Sequence, residues 1–136
     1  MSINPIIKKL LNNRGIETEE DILEFLSDKP QKTYNPFLLP DMEAGVDLIL
    51  SEIEKQSNIW IYGDYDADGI TSTSLMMSVL SHLTDEKLLN YYIPSRFEEG
   101  YGLNKEAIEY IASQGCNLLI TVDCGSVSYD EVEYAK

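Results

Sequence analysis

Two rhythms of apolar residues run along the chain, a three-to-four spacing and short unbroken runs, and from residue 41 onward they alternate. Ile6, Ile7, Leu10 and Leu11 repeat at helical spacing behind Pro5, which suits a first helical turn, and Gly15 closes that segment. Thr18 caps a second predicted helix with the stripe Ile22, Leu23, Phe25 and Leu26, and Asp21 holds the capping-box position where Glu is preferred. The stretch SDKPQKTYNPFLLP carries three prolines and reads as an extended connector.

After Asp41, the positions Met42, Val46, Ile49, Leu50 and Ile53 predict a helix, and the short β-rich run NIWIYG follows it. Gly69 is then expected to break the chain, and a Thr/Ser run to lead into an apolar helix through Leu75, Met76, Val79, Leu80 and Leu83. LLNYYIP reads as a second strand. KEAIEYIASQ reads as a helix capped by Asn104 and stopped by Gly115, NLLITV as a third strand, and Tyr129 to Lys136 as a last helix. Strands alternating with helices of this length define an α/β fold: a Rossmann-like parallel sheet with right-handed crossovers and helices on both faces. Residues 1–40 are expected to form a small helical arm with its connector, and residues 41–136 the α/β body.

Composition narrows the function. A hydrophobic content of 43% supports a real core in 136 residues. No apolar run approaches the roughly 20 residues that cross a bilayer, no signal-peptide pattern opens the chain, and Cys116 and Cys124 form no CxxC pair. A cytoplasmic protein without a membrane role is the expectation. The net charge of -14 argues against a nucleic-acid partner, which normally needs a basic face. That objection weakens if divalent cations reverse the local field, or if the basic surface lies outside these residues.

The candidate chemistry lies in IWIYGDYDADGITSTS, with Asp64, Asp66 and Asp68 spaced two apart. In an extended stretch these three side chains share one face, and their repulsion calls for a cation. Asp123 follows the third strand at the same predicted sheet edge, where α/β proteins collect their ligands, so four carboxylates would converge. Oxygen-rich sites of this kind suit Mg²⁺ or Mn²⁺, and a pair of such ions activates water against a phosphoester. Helix starts near Gly69 and near Gly125-Ser126 would offer N–H groups to a phosphate. A calcium loop fails, because its twelfth position falls on Leu75 and a strand precedes the motif. A solvated acidic turn remains the plain alternative.

The motifs GDYDADGITST, YYIPSRFEEGYGLN and LLITVDCG, with NPFLLPDMEAGVDLI upstream, resemble the DHH phosphoesterase superfamily and, within it, the RecJ family of single-strand-specific 5′-to-3′ DNA exonucleases. Other branches of the superfamily share the DxD core without the combination of GDYDADG and EGYG. The resemblance implies a DHH-type α/β domain that hydrolyses phosphodiester bonds of single-stranded DNA in repair and recombination. It implies Mn²⁺ or Mg²⁺ as cofactor, two ions in the complete protein, and single-stranded DNA and repair proteins as partners. It implies that Asp66 and Asp68 are metal ligands, that Asp64 is a further acidic residue of their motif, and that Asp123 is a ligand able to bridge two ions. Tyr62 stands where the family places a metal-binding histidine. The DHH motif itself is expected beyond Lys136, so the isolated chain is expected to be inactive and to bind metal weakly. The rivals are a DHH phosphodiesterase for oligoribonucleotides or small nucleotides, and a non-catalytic partner domain with the same fold.

Arg96, Tyr101, Gly125 and Ser126 are the candidate substrate-binding residues. A guanidinium at position 96 could take a phosphate bidentately or pair with Glu98 or Glu99. Tyr101 could stack on a base or pack beneath its loop. His82, near the far end of its helix, reads as a surface residue, and Cys124 as a small residue in a tight turn.

Overall fold

The computed structural model describes residues 3–29 and 33–136; Pro30, one of the three connector prolines, lies outside them. The chain divides into two compact units, residues 1–40 and 41–136.

In the first unit, α1 (Pro5–Asn12) starts at Asn4, whose side chain accepts from the Ile6 N–H at 2.9 Å. Pro5 fills the first helical position, where a missing N–H costs nothing. The second helix, α2 (Glu19–Phe25), starts at Thr18, whose hydroxyl accepts from the Asp21 N–H at 3.1 Å and donates to the Asp21 carboxylate at 2.6 Å. The shorter acid thus reaches the cap hydroxyl, whereas a glutamate reaches the cap backbone. The connector is less extended than its prolines suggest, since Asn35 caps a 3₁₀ turn over Pro36–Leu38.

The second unit runs α3 (Met42–Glu54), β1 (Ile59–Tyr62), α4 (Ala67–Leu80), β2 (Leu89–Tyr92), α5 (Lys105–Ser113), β3 (Leu118–Thr121) and α6 (Tyr129–Ala135). Its three strands are parallel in the order β2-β1-β3, with Tyr62 opposite Tyr92 on one side and Thr121 on the other. All four residues of β1 are buried, as expected of a central strand covered twice. Alternation then splits them between two cores. Trp60 and Tyr62 pack with Leu103, Ala107 and Ile111 under α5. Ile59 and Ile61 pack with Leu80 and Leu89, flanked by Ile49 and Ile53 of α3 and Met76 and Met77 of α4. The α/β class and the cover of helices on both faces agree with the sequence pattern.

Helix α4 departs from the pattern. It starts at Ala67, inside the acidic motif, and Gly69 sits in its first turn and does not break the chain. The Thr/Ser run is helical, and its hydroxyls bond one turn back: Thr71 donates to the Ala67 carbonyl, Ser72 to Asp68 and Ser74 to Ile70, each at 2.7 Å. Among the described residues no helix is long and apolar enough to cross a membrane.

Candidate metal centre

The strand order reverses between β1 and β3, and the crevice beyond the carboxyl ends of such a pair is where open α/β sheets place their ligands. Asp64 leaves β1 and Asp123 leaves β3 at that edge. Two glycines let α4 start there. A Cβ on Gly69 would overlap the Asp64 backbone, and one on Gly63 would overlap the Thr73 hydroxyl, so helix and strand end meet closer than any other residue allows.

One carboxylate oxygen from each of Asp64, Asp66 and Asp123 can lie within 4.8 Å of the other two. The three are held in different ways. Asp66 is the N-cap of α4 and accepts the N–H groups of Asp68 and Gly69 at 3.0 and 3.1 Å. Asp123 has φ +60°, a left-handed conformation uncommon outside glycine, in the tight turn that leads to Gly125 at φ +91°. Asp64 is 1% exposed, and neither of its carboxylate oxygens has a hydrogen-bond partner among the described residues. A buried charge without donor or counterion costs several kcal/mol, which a cation in the crevice would offset. The donor set therefore fits a hard divalent ion.

Electrostatics report the same crowding. Asp123 is exposed, yet desolvation on its cluster side, then the charges of Asp66, Asp68 and Asp64, push its carboxyl above the ordinary value. Burial, then the Asp64 and Asp123 carboxylates, push the Cys124 thiol up to about 11, which keeps it protonated.

Asp68 is placed differently from the expectation that all three motif aspartates share a face. The extended backbone ends at Asp66, and Asp68 lies in the first helical turn, outside the group of three. Gly125 and Ser126 do not open a helix either, because α6 begins at Tyr129 and Gly125 accepts a turn bond from Ser128 at 3.1 Å. His82 is exposed just past the opposite end of α4, about 20 Å away along a helix of 14 residues.

Arg96 is exposed and makes no ion pair among the described residues, so the pairing with Glu98 or Glu99 is not formed. Its guanidinium instead lies 4.7 Å from the ring centre of Tyr65, the residue between the two clustered aspartates of the motif. Tyr101 is 67% exposed and does not pack beneath its loop. Its ring meets Tyr65 edge-on at 6.5 Å, and its hydroxyl donates to the Asp123 carbonyl at 3.3 Å. Tyr65 is a site residue that sequence reasoning missed; its place within the motif was the available signal.

Tyr62 does not behave as a substitute ligand. It is fully buried, its hydroxyl donates to the Gly102 carbonyl at 2.9 Å and accepts from the Asn104 amide at 3.2 Å. Burial first, then the Glu99 charge, push its phenol well above the ordinary range, so it stays neutral. The phenol anchors the loop between β2 and α5.

A parallel α/β sheet with a carboxylate centre at its switch point defines a class of metal-site protein. Residues 58–136 match the DHH family, N-terminal domain, and the chain belongs to the DHH family. It is similar to the single-stranded-DNA-specific exonuclease RecJ of Bacillus subtilis, 43% identical over 136 residues that make up 100% of this chain and 17% of that protein. The protein of the same description from Escherichia coli is 31% identical over 133 residues, 97% of this chain and 22% of the relative. A crystal structure of exonuclease RecJ bound to manganese aligns with a TM-score of 0.62 and 33% identity, over 71% of this chain and 25% of that one. The chain thus spans about a fifth of the length of these curated relatives.

Proposed function

We propose that residues 41–136 supply the amino-terminal part of the active site of a Mn²⁺- or Mg²⁺-dependent exonuclease that hydrolyses single-stranded DNA from its 5′ end, with residues 1–40 as a separate helical arm. The observation that carries this reading is Asp64: a fully buried carboxylate beside Asp66 and Asp123, without a hydrogen-bond partner among the described residues, is costly unless a cation balances it. The two curated relatives named above act on single-stranded DNA by their descriptions, and the similar exonuclease RecJ of known structure was crystallised bound to manganese.

Asp64, Asp66 and Asp123 would hold the metal, and Asp68 adds negative charge at the start of α4. The divalent metal, when bound, lowers the pKa of water and neutralises charge on the scissile phosphate. The residues of this chain do the rest. Asp66 fixes the start of α4, Asp123 is aimed by its strained turn, and Arg96 offers its free N–H edge to a phosphate oxygen. Tyr101 presents an exposed ring next to the centre on which a base can stack, and Gly125 and Ser126 line the turn behind Asp123. The same reading makes the protein cytoplasmic, with DNA-repair proteins as its partners.

The test is a 5′-labelled oligonucleotide incubated with the full-length protein in Mn²⁺ or in EDTA. Metal-dependent release of nucleotides from the single strand, with the duplex spared and activity lost in Asp66→Asn and Asp123→Asn, is expected. Equal hydrolysis in EDTA, or full activity in either variant, overturns the reading. Preferential cleavage of short oligoribonucleotides would move it to the phosphodiesterase alternative.

A further inference from the structure

The loop that joins β2 to α5 carries Arg96 and Tyr101, and its tip is open to solvent, with Phe97 94% exposed. Within the tip, the Glu99 and Gly100 N–H groups donate to the Ser95 carbonyl at 3.0 and 3.3 Å. The ends of the loop are held by Glu99, whose carboxylate uses both oxygens. One accepts from the Tyr92 hydroxyl at 2.6 Å and from the Asn104 amide at 3.2 Å, and the other accepts from the Ser95 N–H at 2.6 Å. Tyr92 ends β2, Ser95 begins the loop, and Asn104 closes it as the N-cap of α5, accepting from the Ala107 N–H at 2.7 Å. One carboxylate therefore fastens both ends of the loop to the sheet and to the following helix. Behind it the rings of Tyr62 and Tyr92 stack at 5.4 Å, so the clasp rests on two strands.

This acid stands beside a free cation and leaves it free. Glu99 pairs with no Lys or Arg among the described residues, and Arg96, three residues away, stacks on Tyr65. Two acidic neighbours, Glu98 and Glu99, could capture Arg96 in a mobile loop. With Glu99 consumed by neutral donors and the loop ends fixed, the guanidinium stays on the ring between Asp64 and Asp66.

We propose that Glu99 is a positioning residue for substrate: it clasps the loop from Ser95 to Asn104 so that Arg96, held on Tyr65, meets a backbone phosphate of single-stranded DNA beside the carboxylate centre. The inference rests on the nuclease reading and adds to it a residue that touches neither metal nor DNA. Glu99 acts through Arg96, so its loss weakens substrate binding and leaves the chemical step intact.

The experiment is steady-state hydrolysis of a 5′-phosphorylated single strand by the full-length protein in Mn²⁺, for Glu99→Gln, Tyr92→Phe and Arg96→Ala, each alone and with Arg96→Ala combined with the other two. Glutamine cannot accept from Ser95 and Tyr92 with the same geometry, so KM should rise about tenfold with kcat nearly unchanged. Tyr92→Phe removes a single bond to the clasp and should give a smaller rise. In the Arg96→Ala background neither substitution should raise KM further, because the contact they position is already gone. A merely structural role predicts the same increment in both backgrounds, and that result overturns the proposal. So does an unchanged KM in Glu99→Gln and Tyr92→Phe while the wild type still degrades the strand, an outcome that leaves the nuclease reading standing. A wild-type protein that leaves the strand intact in Mn²⁺ overturns both.

Discussion

Replacing Asp64 by Asn should make the metal-free protein more stable and the metal-dependent gain smaller. The native carboxylate is 1% exposed and has no donor among the described residues. An ion in that state costs several kcal/mol after relaxation, whereas an unsatisfied amide in the same place costs about 1–3 kcal/mol. The substitution should therefore return about 2 kcal/mol in EDTA. For a unit of this size each 1 kcal/mol moves Tm by about 4–8 °C, so the rise is well within measurement. Added Mn²⁺ at a hundred times its Kd should stabilise the wild type by about 2.7 kcal/mol through mass action. The variant, lacking one of three clustered carboxylates, should gain much less, and its advantage should disappear. Urea denaturation followed by the fluorescence of Trp60 suits the purpose: it is the single tryptophan, 7% exposed in β1 and four residues before Asp64. A variant no more stable than wild type in EDTA, or one that gains as much from Mn²⁺, would refute the view that Asp64 is buried for the sake of a cation.

Gly69→Ala should destabilise by about 1–3 kcal/mol, since its Cβ overlaps the Asp64 backbone, and should weaken Mn²⁺ binding; a thermal melt and a metal titration measure the two effects together. Tyr62→Phe should cost about 1–2 kcal/mol by stripping the Gly102 carbonyl of its donor, with Mn²⁺ affinity unchanged; a large loss of affinity would show that the phenol is a ligand after all. The Asp123 carboxyl should titrate above 3.8 in EDTA, as read by ¹³C NMR, and its midpoint should fall in Asp66→Asn. With the folded value raised, the native state binds the proton more tightly, so this contribution to stability is present at low pH and is lost as pH rises through the raised value.

Much of this was legible in the chain because period and punctuation agree. β1 reads as an unbroken apolar run and is buried on both faces, and the caps at Thr18 and Asn104 form as their residue types require. The start of α4 was not legible. Gly69 looks like a break in a polar run, but its lack of a side chain serves a close approach to Asp64, and the hydroxyls that usually compete with a helix turn back into it. An extended motif would align Asp64, Asp66 and Asp68, whereas the helical turn moves Asp68 away from the cluster that Asp64 and Asp66 form with Asp123. The use of Tyr62 and Glu99 depends on partners 40 and seven residues away, and no local pattern announces such bonds.

The two glycines of the motif and its aspartates answer to different pressures. Gly63 is held by the close Thr73 and Ile93 side chains and Gly69 by the Asp64 backbone, so their replacement damages the fold whether or not a metal ever binds. Asp66 caps α4 in any case, but the buried Asp64 and the crowded Asp123 are costly in the folded chain and are offset only when the protein does chemistry. In a descendant relieved of that chemistry, drift should erase the acids first and spare the glycines. A sequence keeping GxxxxxG after this strand without its aspartates would then be a retired enzyme that still folds, recognisable by what it could not afford to change.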